Sequence, residues 1–233
     1  MNARARQRVR PGADKIDKSG ATITDRLIAD EMRDALGDCI IGREIVVVEE
    51  TTSTNDSILQ RATQTADEGL VVFAERQTTG RGQRNNTWES AAHKGLWLSI
   101  LLRPTIDIDK SGRLTTWAVS VIAQTISEQF ALTATIKSPN DVYIDGKKVA
   151  GVLVEMRAQK NAPYFAVLGI GINVNHGAED FSKELRGRAI SLSMALDRSA
   201  KGRIRRGEHI DRQKFAVALL RNLDRTYPET FGL

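Results

Sequence analysis

The chain has 233 residues, of which 41% are hydrophobic and 27% are charged. This length and composition are typical of a soluble protein with one sizeable core. No apolar run approaches the roughly 20 residues that cross a bilayer, which excludes a membrane-spanning segment. The single cysteine, Cys39, excludes an internal disulfide and a cysteine-based zinc site. We therefore expect a cytoplasmic protein with no membrane contact.

The net charge of +5 is concentrated near the N-terminus. Residues 1–18 contain six arginines and lysines against two aspartates, so this segment carries +4 and the rest of the chain only +1. We interpret residues 1–20 as a disordered basic tail and residues 21–233 as one folded domain. An electrostatic arm for an acidic partner is the alternative for the tail. The nearly neutral remainder does not favour DNA binding.

Periodicity and turn residues predict the following elements in chain order. The first half contains a helix capped by Thr24 or Asp25 and ended by Gly37, a strand over 43–50, a helix starting near Ser53 and a buried strand over 70–74. A polar stretch over 77–94 follows, then a strand over 96–102 and a helix over 111–130. The second half contains a hairpin over 142–156 that turns at Asp145-Gly146, a further strand over 164–174, and helices over 191–196 and 211–227. Because the strands come mostly in hairpins, we expect an α+β domain: a mixed, mostly antiparallel sheet with helices on one side.

Two polar segments precede the central helix. Residues 52–56 read Thr-Ser-Thr-Asn-Asp, where Ser53 or Thr54 suits a helix N-cap, and where free N–H groups beside hydroxyls also suit a polar ligand. Residues 80–88 combine two glycines, two arginines and Trp88. This second segment is either a flexible surface loop or a ligand loop, in which glycines permit close approach, arginines bind anions and tryptophan stacks.

Two more polar segments follow that helix. Residues 137–141 read Lys-Ser-Pro-Asn-Asp, which predicts a turn. Residues 147–155 begin with two lysines, which indicate either a solvated strand edge or a cationic site. Gly151 leaves room for a group against the strand backbone. If this strand alternates regularly, Lys148 shares a face with Ala150 and Lys147 points the opposite way.

The order of these motifs is more specific than any one of them. Ser-Thr-Asn at 53–55 is followed by Gly-Arg-Gly at 80–82 with Trp88 beyond it, Lys-x-Pro-Asn-Asp at 137–141, Lys-x-x-Gly-x-Leu-x-Glu at 148–155 and Gly-Ile-Asn at 171–173. Together they closely resemble the catalytic domain of biotin–protein ligases. The resemblance implies that family's fold, which is related to class II aminoacyl-tRNA synthetases.

The resemblance also implies a set of site residues. The implied catalytic residues are Lys148 and Arg81. The implied biotin and adenylate residues are Ser53, Thr54, Asn55, Gln77, Gly80, Arg81, Gly82, Gln83, Arg84, Lys148 and Gly151. The implied ATP residues are Trp88, Lys137, Asn140, Asp141 and Asn173, with Asp141 also a Mg²⁺ ligand. The segment from Gly80 to Arg84 resembles the loop that closes over biotin and the adenylate.

The implied reaction activates biotin with ATP to biotinyl-5'-AMP and transfers it to a lysine of a biotin carboxyl carrier protein. Mg²⁺ would accompany ATP as co-substrate, with no tightly bound organic cofactor, and a homodimer is left open. The lysines and arginines of the motifs suit this reaction, because a carboxylate that attacks a phosphate needs nearby cations to offset the repulsion between the two anions.

Two other functions stay open. One is a lipoate or octanoate ligase or transferase of the same superfamily, although octanoyl transfer would need a nucleophilic cysteine and Cys39 lies outside every motif. The other is a homologue that binds biotin without turnover. Ser138, where the family usually has tryptophan, and Gln83, where arginine is common, favour that alternative. We expect neither a DNA-binding domain ahead of residue 43 nor an SH3-like domain after the last helix.

Overall fold

The computed structural model describes residues 25–62, 67–159, 162–199 and 209–232. Both Thr24 and the predicted tail over 1–20 lie outside the described residues. The strands are β1 (Glu44–Thr51), β2 (Leu70–Gln77), β3 (Gly80–Arg81), β4 (Thr87–Trp88), β5 (Gly95–Leu102), β6 (Thr135–Lys137), β7 (Asp141–Ile144), β8 (Lys147–Gln159) and β9 (Ala162–Asn173). The helices are α1 (Ala29–Leu36), α2 (Thr54–Arg61), α3 (Gly112–Phe130), α4 (Leu192–Arg198) and α5 (Arg212–Phe231).

Seven strands form one sheet in the order β1-β2-β5-β9-β8-β7-β6. Only β1 and β2 pair in parallel, and every other neighbouring pair is antiparallel. This confirms the predicted mixed, mostly antiparallel sheet. The strands β3 and β4 form a separate two-stranded hairpin. The polar stretch over 77–94, for which the sequence predicted no strand or helix, therefore contains a short hairpin.

Side chains that alternate along the strands divide the sheet into two faces. On one face, Phe73 and Leu98 belong to the main core, together with residues of α1, α3 and α5. On the other face, Val72 and Leu101 pack against Ile58 of α2 in a smaller cluster. The prediction that helices cover one side only was therefore wrong for α2. The candidate site lies on this second face, beside α2.

The first helix differs from its predicted start. It begins at Ala29 after Ile28, without a side-chain cap, and ends at Gly37, where φ is +73°. Asp25 does not cap the helix, because its carboxylate faces a buried arginine on α5 instead. The long helix α3 lies where the apolar periodicity predicted it. No helix in the described ranges combines the length and apolar character of a bilayer span.

An ion-pair cluster of Arg212, Asp25 and Glu75, the anchor cluster, ties the start of α5 to the sheet. The Arg212 side chain has no exposed surface, and its guanidinium lies 2.7 Å from Glu75 and 3.1 Å from Asp25. It also donates to the Gly95 carbonyl at 3.0 Å. Burial raises the pKa of the Asp25 carboxyl, although the Arg212 charge opposes that shift.

Candidate active site

Small residues leave space above the middle of the sheet on the α2 side. Ser99 on β5, Gly151 on β8, and Gly169 and Gly171 on β9 form this small-residue floor, with Gly151 directly opposite Gly171. A Cβ at Gly169 would lie 2.3 Å from Asn55 Oδ1, and one at Gly171 would lie 2.5 Å from the Trp88 ring. The two glycines therefore make room for the Asn55 and Trp88 side chains to lie against the sheet.

A cavity of about 360 Å³ lies over this floor. Its volume falls within the range typical of small-molecule sites. Its wall comes from the start of α2, the segment over 81–88, the turn at 137–141 and the strands β8 and β9. Segments far apart in the chain thus converge on one concave surface.

One end of the cavity is built from buried polar groups at the start of α2. Ser53, Thr54 and Asn55 are all nearly inaccessible to solvent. Ser99 Oγ lies 2.7 Å from Thr54 Oγ1 and 2.5 Å from Asn55 Oδ1. The Thr54 backbone N–H donates to Gln77 Oε1 at 2.9 Å, whereas the Ser53 side chain makes no capping hydrogen bond. The carboxamide of Gln77, rather than a Ser53 hydroxyl, therefore caps the helix.

The entrance of the cavity holds an arginine between two carboxylates. The Arg81 guanidinium lies 2.6 Å from Asp56 and 3.0 Å from Glu155, and these three residues form what we call the rim cluster. Asn55 Nδ2 donates to the same Glu155 oxygen at 2.7 Å. Partial burial lowers the pKa of Arg81, but its hydrogen bonds to the two carboxylates outweigh that effect and raise it.

A β-bulge determines where Lys148 points. The pairing of β7 with β8 shifts register so that Val142 faces Ala150 while Tyr143 faces Lys148. Regular alternation is lost between the two β8 residues. The prediction that Lys148 shares a face with Ala150 was wrong, since Ala150 is buried in the main core and Lys148 lines the cavity.

Lys148 lies at the centre of the cavity wall. Its Nζ is 2.7 Å from Asp141 Oδ1 and 5.1 Å from the centre of the Trp88 ring. A Cβ at Gly151 would lie 2.9 Å from that ring and 3.1 Å from Lys148 Cε. The absence of a side chain at Gly151 is therefore what lets the lysine and the tryptophan lie over the strand.

The charges around the cavity are unequal. Among the described residues, five cationic side chains and one carboxylate line it: Arg81, Arg84, Lys137, Lys148, Arg188 and Asp141. A concave surface with this excess of cations attracts an anion more strongly than a flat one does. The arrangement suits a ligand with phosphate or carboxylate groups.

A second cavity of about 340 Å³ shares Trp88, Asp141 and Lys148 with the first. Asn173 and Arg188 also line it. The buried Asn173 amide donates to the Ile190 carbonyl at 3.2 Å, so it supports the neighbouring segment. The two cavities share the Trp88 and Lys148 pair, as a ligand with two distinct parts would require.

Residues 47–173 match the model of the biotin/lipoate A/B protein ligase family. The chain belongs to this family. A Bacillus subtilis member, the bifunctional ligase/repressor BirA, is 35% identical over 87% of this chain. The Mycobacterium tuberculosis biotin–[acetyl-CoA-carboxylase] ligase is 32% identical over 87% of this chain and 73% of its own length. The chain spans 59% of the length of the Bacillus relative.

Solved structures of family members have the same architecture. A biotin protein ligase from Aquifex aeolicus, in complex with biotin and ATP, is 26% identical with a TM-score of 0.65 over 81% of this chain and 72% of its own. One from Leishmania major, in complex with biotinyl-5-AMP, is 23% identical with a TM-score of 0.62. The predicted ligase fold, of the class II aminoacyl-tRNA synthetase type, is thereby confirmed.

The structure brings nearly all the predicted ligase residues to the first cavity. The residues that line it are Ser53, Thr54, Asn55, Gln77, Arg81, Gly82, Gln83, Arg84, Trp88, Lys137, Asn140, Asp141, Lys148 and Gly151. Asn173 lies at the second cavity. Gly80 lies in the β3–β4 hairpin, where a Cβ would be 2.6 Å from the Trp88 carbonyl oxygen. The absence of a side chain at Gly80 therefore allows the two strands of the hairpin to pair closely.

The predicted turn at 137–141 also has a structural role. Asn140 Nδ2 donates to the Val152 carbonyl at 3.2 Å, and the Val152 N–H donates to the Asn140 carbonyl at 2.9 Å. These two bonds hold the turn against β8. The Lys137 ammonium lies 5.1 Å from the centre of the Tyr143 ring, at the edge of the sheet.

Sequence reasoning missed several residues at or beside the cavity. Ser99, Gly169 and Arg188 were not predicted, nor was a role for Glu155. The glycines at alternate positions 169 and 171 on a predicted strand were a usable signal, because such spacing places both on one face. Ser99 carried none, since a serine in an apolar strand has no local pattern that marks a site.

Proposed function

We propose that this chain activates biotin with ATP to biotinyl-5'-AMP and transfers the biotinyl group to a lysine of a biotin carboxyl carrier protein. The observation that carries the proposal is one cavity that combines a buried hydrogen-bonding end with a cationic wall. Family membership supports the same reaction class. The Mycobacterium tuberculosis relative is named as a biotin ligase, and the Aquifex aeolicus structure contains biotin and ATP. Both agree with biotin and ATP as substrates.

The polar end favours biotin over lipoate or octanoate. Biotin carries a ureido group with two N–H donors and a carbonyl acceptor, whereas the lipoyl and octanoyl tails carry neither. Thr54, Asn55 and Ser99 are buried hydroxyl and amide groups beside the floor. A site that offers buried hydrogen-bonding groups discriminates strongly against an analogue that leaves them unpaired. The ureido ring is therefore assigned to this end, and the carboxylate tail to the Lys148 end.

The chemical steps follow from the placement of charge. A carboxylate oxygen of biotin attacks the α-phosphorus of ATP, and pyrophosphate leaves. Lys148 and Arg81 reduce the repulsion between the two anions and stabilise the charge that develops on the phosphate oxygens. The neutral amine of the acceptor lysine then attacks the mixed-anhydride carbonyl, loses a proton, and AMP leaves. Trp88, between the two cavities, offers the adenine a flat surface.

Mg²⁺ fits this site as an ion carried by ATP. Within the described residues, no three carboxylate, histidine or cysteine side chains converge as a metal centre. Asp141 supplies a single carboxylate at the cavity wall. Mg²⁺ is commonly held by one or two carboxylates together with phosphate oxygens, so Asp141 suits that role. The ion would neutralise charge on the departing pyrophosphate.

Pyrophosphate release separates the candidate functions. The protein is incubated with ATP, Mg²⁺ and either biotin, lipoate or octanoate, and an acceptor carrier domain is then added. Of the three acids, we expect only biotin to give pyrophosphate release. We also expect a biotinyl group on a lysine of the carrier. Release with lipoate or octanoate in place of biotin would assign the protein to those ligases. Biotin binding without pyrophosphate would identify a homologue that has lost turnover.

A further inference from the structure

Glu155 connects two parts of the site that no other described side chain joins. It lies on β8, four residues beyond Gly151, with its side chain 18% exposed. Its Oε2 accepts from Asn55 Nδ2 at 2.7 Å and from Arg81 at 3.0 Å. Its Oε1 accepts from Arg157 at 2.7 Å. One carboxylate thus contacts both the polar end of the cavity and the arginine at its entrance.

The carboxylate determines which way the Asn55 amide faces. A carboxylate only accepts, so the Asn55 NH₂ group must point to Glu155. The amide oxygen is then left beside Ser99 Oγ, 2.5 Å away, and over Gly169. Reversal of the amide would place its oxygen against the Glu155 carboxylate. The hydrogen-bonding pattern offered at the polar end is therefore determined by Glu155.

The same carboxylate determines where the Arg81 charge lies. Arg81 sits on the short hairpin over the cavity and is 40% exposed, so a single ion pair to it is weak. Burial raises the pKa of Glu155, but the hydrogen bonds from Asn55 and Arg81 and the Arg81 charge outweigh it and hold the pKa below its usual value. Glu155 is accordingly ionised at neutral pH. Asp56, the other partner of Arg81, contacts Arg81 without contacting Asn55.

We propose that Glu155 is a positioning residue for the reaction, which sets the Asn55 amide at the ring-binding end and at the same time holds Arg81 at the entrance. This inference rests on the proposed function. All three partners of Glu155 are donors, from Asn55, Arg81 and Arg157. A glutamine at this position offers one acceptor oxygen and presents its own N–H groups to the remaining donors.

The test compares Glu155→Gln with Asp56→Asn, which removes the other carboxylate around Arg81. We expect Glu155→Gln to raise the Kd for biotin by about tenfold, the scale of one charge-assisted hydrogen bond. The KM for ATP should change less than the Kd for biotin, because Arg81 keeps a second carboxylate partner in Asp56. Asp56→Asn should raise the Kd for biotin by less than Glu155→Gln does, because the Asn55 amide keeps its bond to Glu155.

Equal effects of the two variants on biotin affinity would overturn the proposal, as would equal effects of Glu155→Gln on biotin and ATP. Melting temperatures identify a variant that has lost its fold. Amide hydrogen exchange over 80–88 without ligand gives an independent measure of how firmly Arg81 is held, and we expect it to be faster in Glu155→Gln than in the unmutated protein. Equal exchange rates would also contradict the proposal. If the unmutated protein releases no pyrophosphate with biotin, the proposed function fails, and the exchange comparison still tests the positioning role.

Discussion

The molecule contains two clusters of the same chemical composition, each with one guanidinium between two carboxylates. In the rim cluster, Arg81 is 40% exposed, whereas in the anchor cluster Arg212 is fully buried. The rim cluster lies at the cavity entrance and shares Glu155 with a site residue. The anchor cluster joins α5, the segment at Asp25 and the strand β2 below the main core.

Burial is what assigns the two clusters to different roles. Partly exposed ion pairs contribute little to stability because water solvates the separated charges nearly as well. Fully buried charges have no such alternative, so removing one partner leaves the others unsatisfied. The rim cluster should therefore contribute little to stability, and the anchor cluster much more. The predictions below test this division.

The largest effect is expected from Lys148→Ala. Adenylate formation should fall by about a thousandfold, because the variant removes a cation that we propose stabilises the charge on the phosphate oxygens. The melting temperature should stay nearly unchanged, since Lys148 is partly exposed at the cavity wall. Lys147→Ala is the matched control, as Lys147 is adjacent but does not line the cavity. Pyrophosphate release from Lys148→Ala near the unmutated rate would remove this lysine from the mechanism.

The two arginines should give opposite results when each is replaced by methionine. Arg212→Met should reduce the free energy of unfolding by about 3–5 kcal/mol, because it leaves the buried Glu75 carboxylate and the Asp25 carboxylate without their guanidinium partner. Arg81→Met should reduce it by less than about 1 kcal/mol while lowering the rate of adenylate formation. Urea titrations and pyrophosphate assays measure the two quantities. Similar stability losses in both variants would break the comparison.

A buried histidine beside the second cavity should make stability depend on pH. Burial between aromatic rings lowers the pKa of His176 from 6.5 to about 4. Between these values the unfolded chain binds the proton and the folded chain does not, so stability is complete above pH 6.5 and is lost as the pH falls towards 4. The loss is about 3 kcal/mol at most. His176→Phe should flatten the slope in this window, and an unchanged slope would assign it to other groups.

The smallest effect is expected at Gln83. This position lines the cavity beside Arg84 and carries no charge. An arginine here should donate a charge-assisted hydrogen bond to the adenylate phosphate and slow its release by roughly tenfold. The dissociation rate of biotinyl-adenylate is measured for the unmutated protein and Gln83→Arg. Equal or faster release from the variant would show that charge at this rim position does not retain the intermediate.

Much of the fold was predictable because local patterns report local structure. The apolar periodicity located α3 and α5, and turn residues located the β7–β8 hairpin. The motifs predicted most residues of the cavity, since their order along the chain was specific. The assignments of individual roles to Lys148, Arg81 and Asp141 remain predictions. The start of α1 was misplaced because Asp25 engages Arg212, a partner 187 residues away in the chain.

The elements, the family resemblance and the chemical types at the site could be predicted from the residues, because these depend on periodicity and on short motifs. The direction of Lys148 could not be predicted, since the bulge that turns it away from Ala150 arises from pairing with β7. Tertiary packing also brings Ser99 of β5 and Glu155 of β8 to Asn55 on the helix α2. Asn55 lies 44 positions from Ser99 and 100 positions from Glu155 in the chain. Contacts at such separations leave no local signal, because neither partner alters the residue pattern around the other.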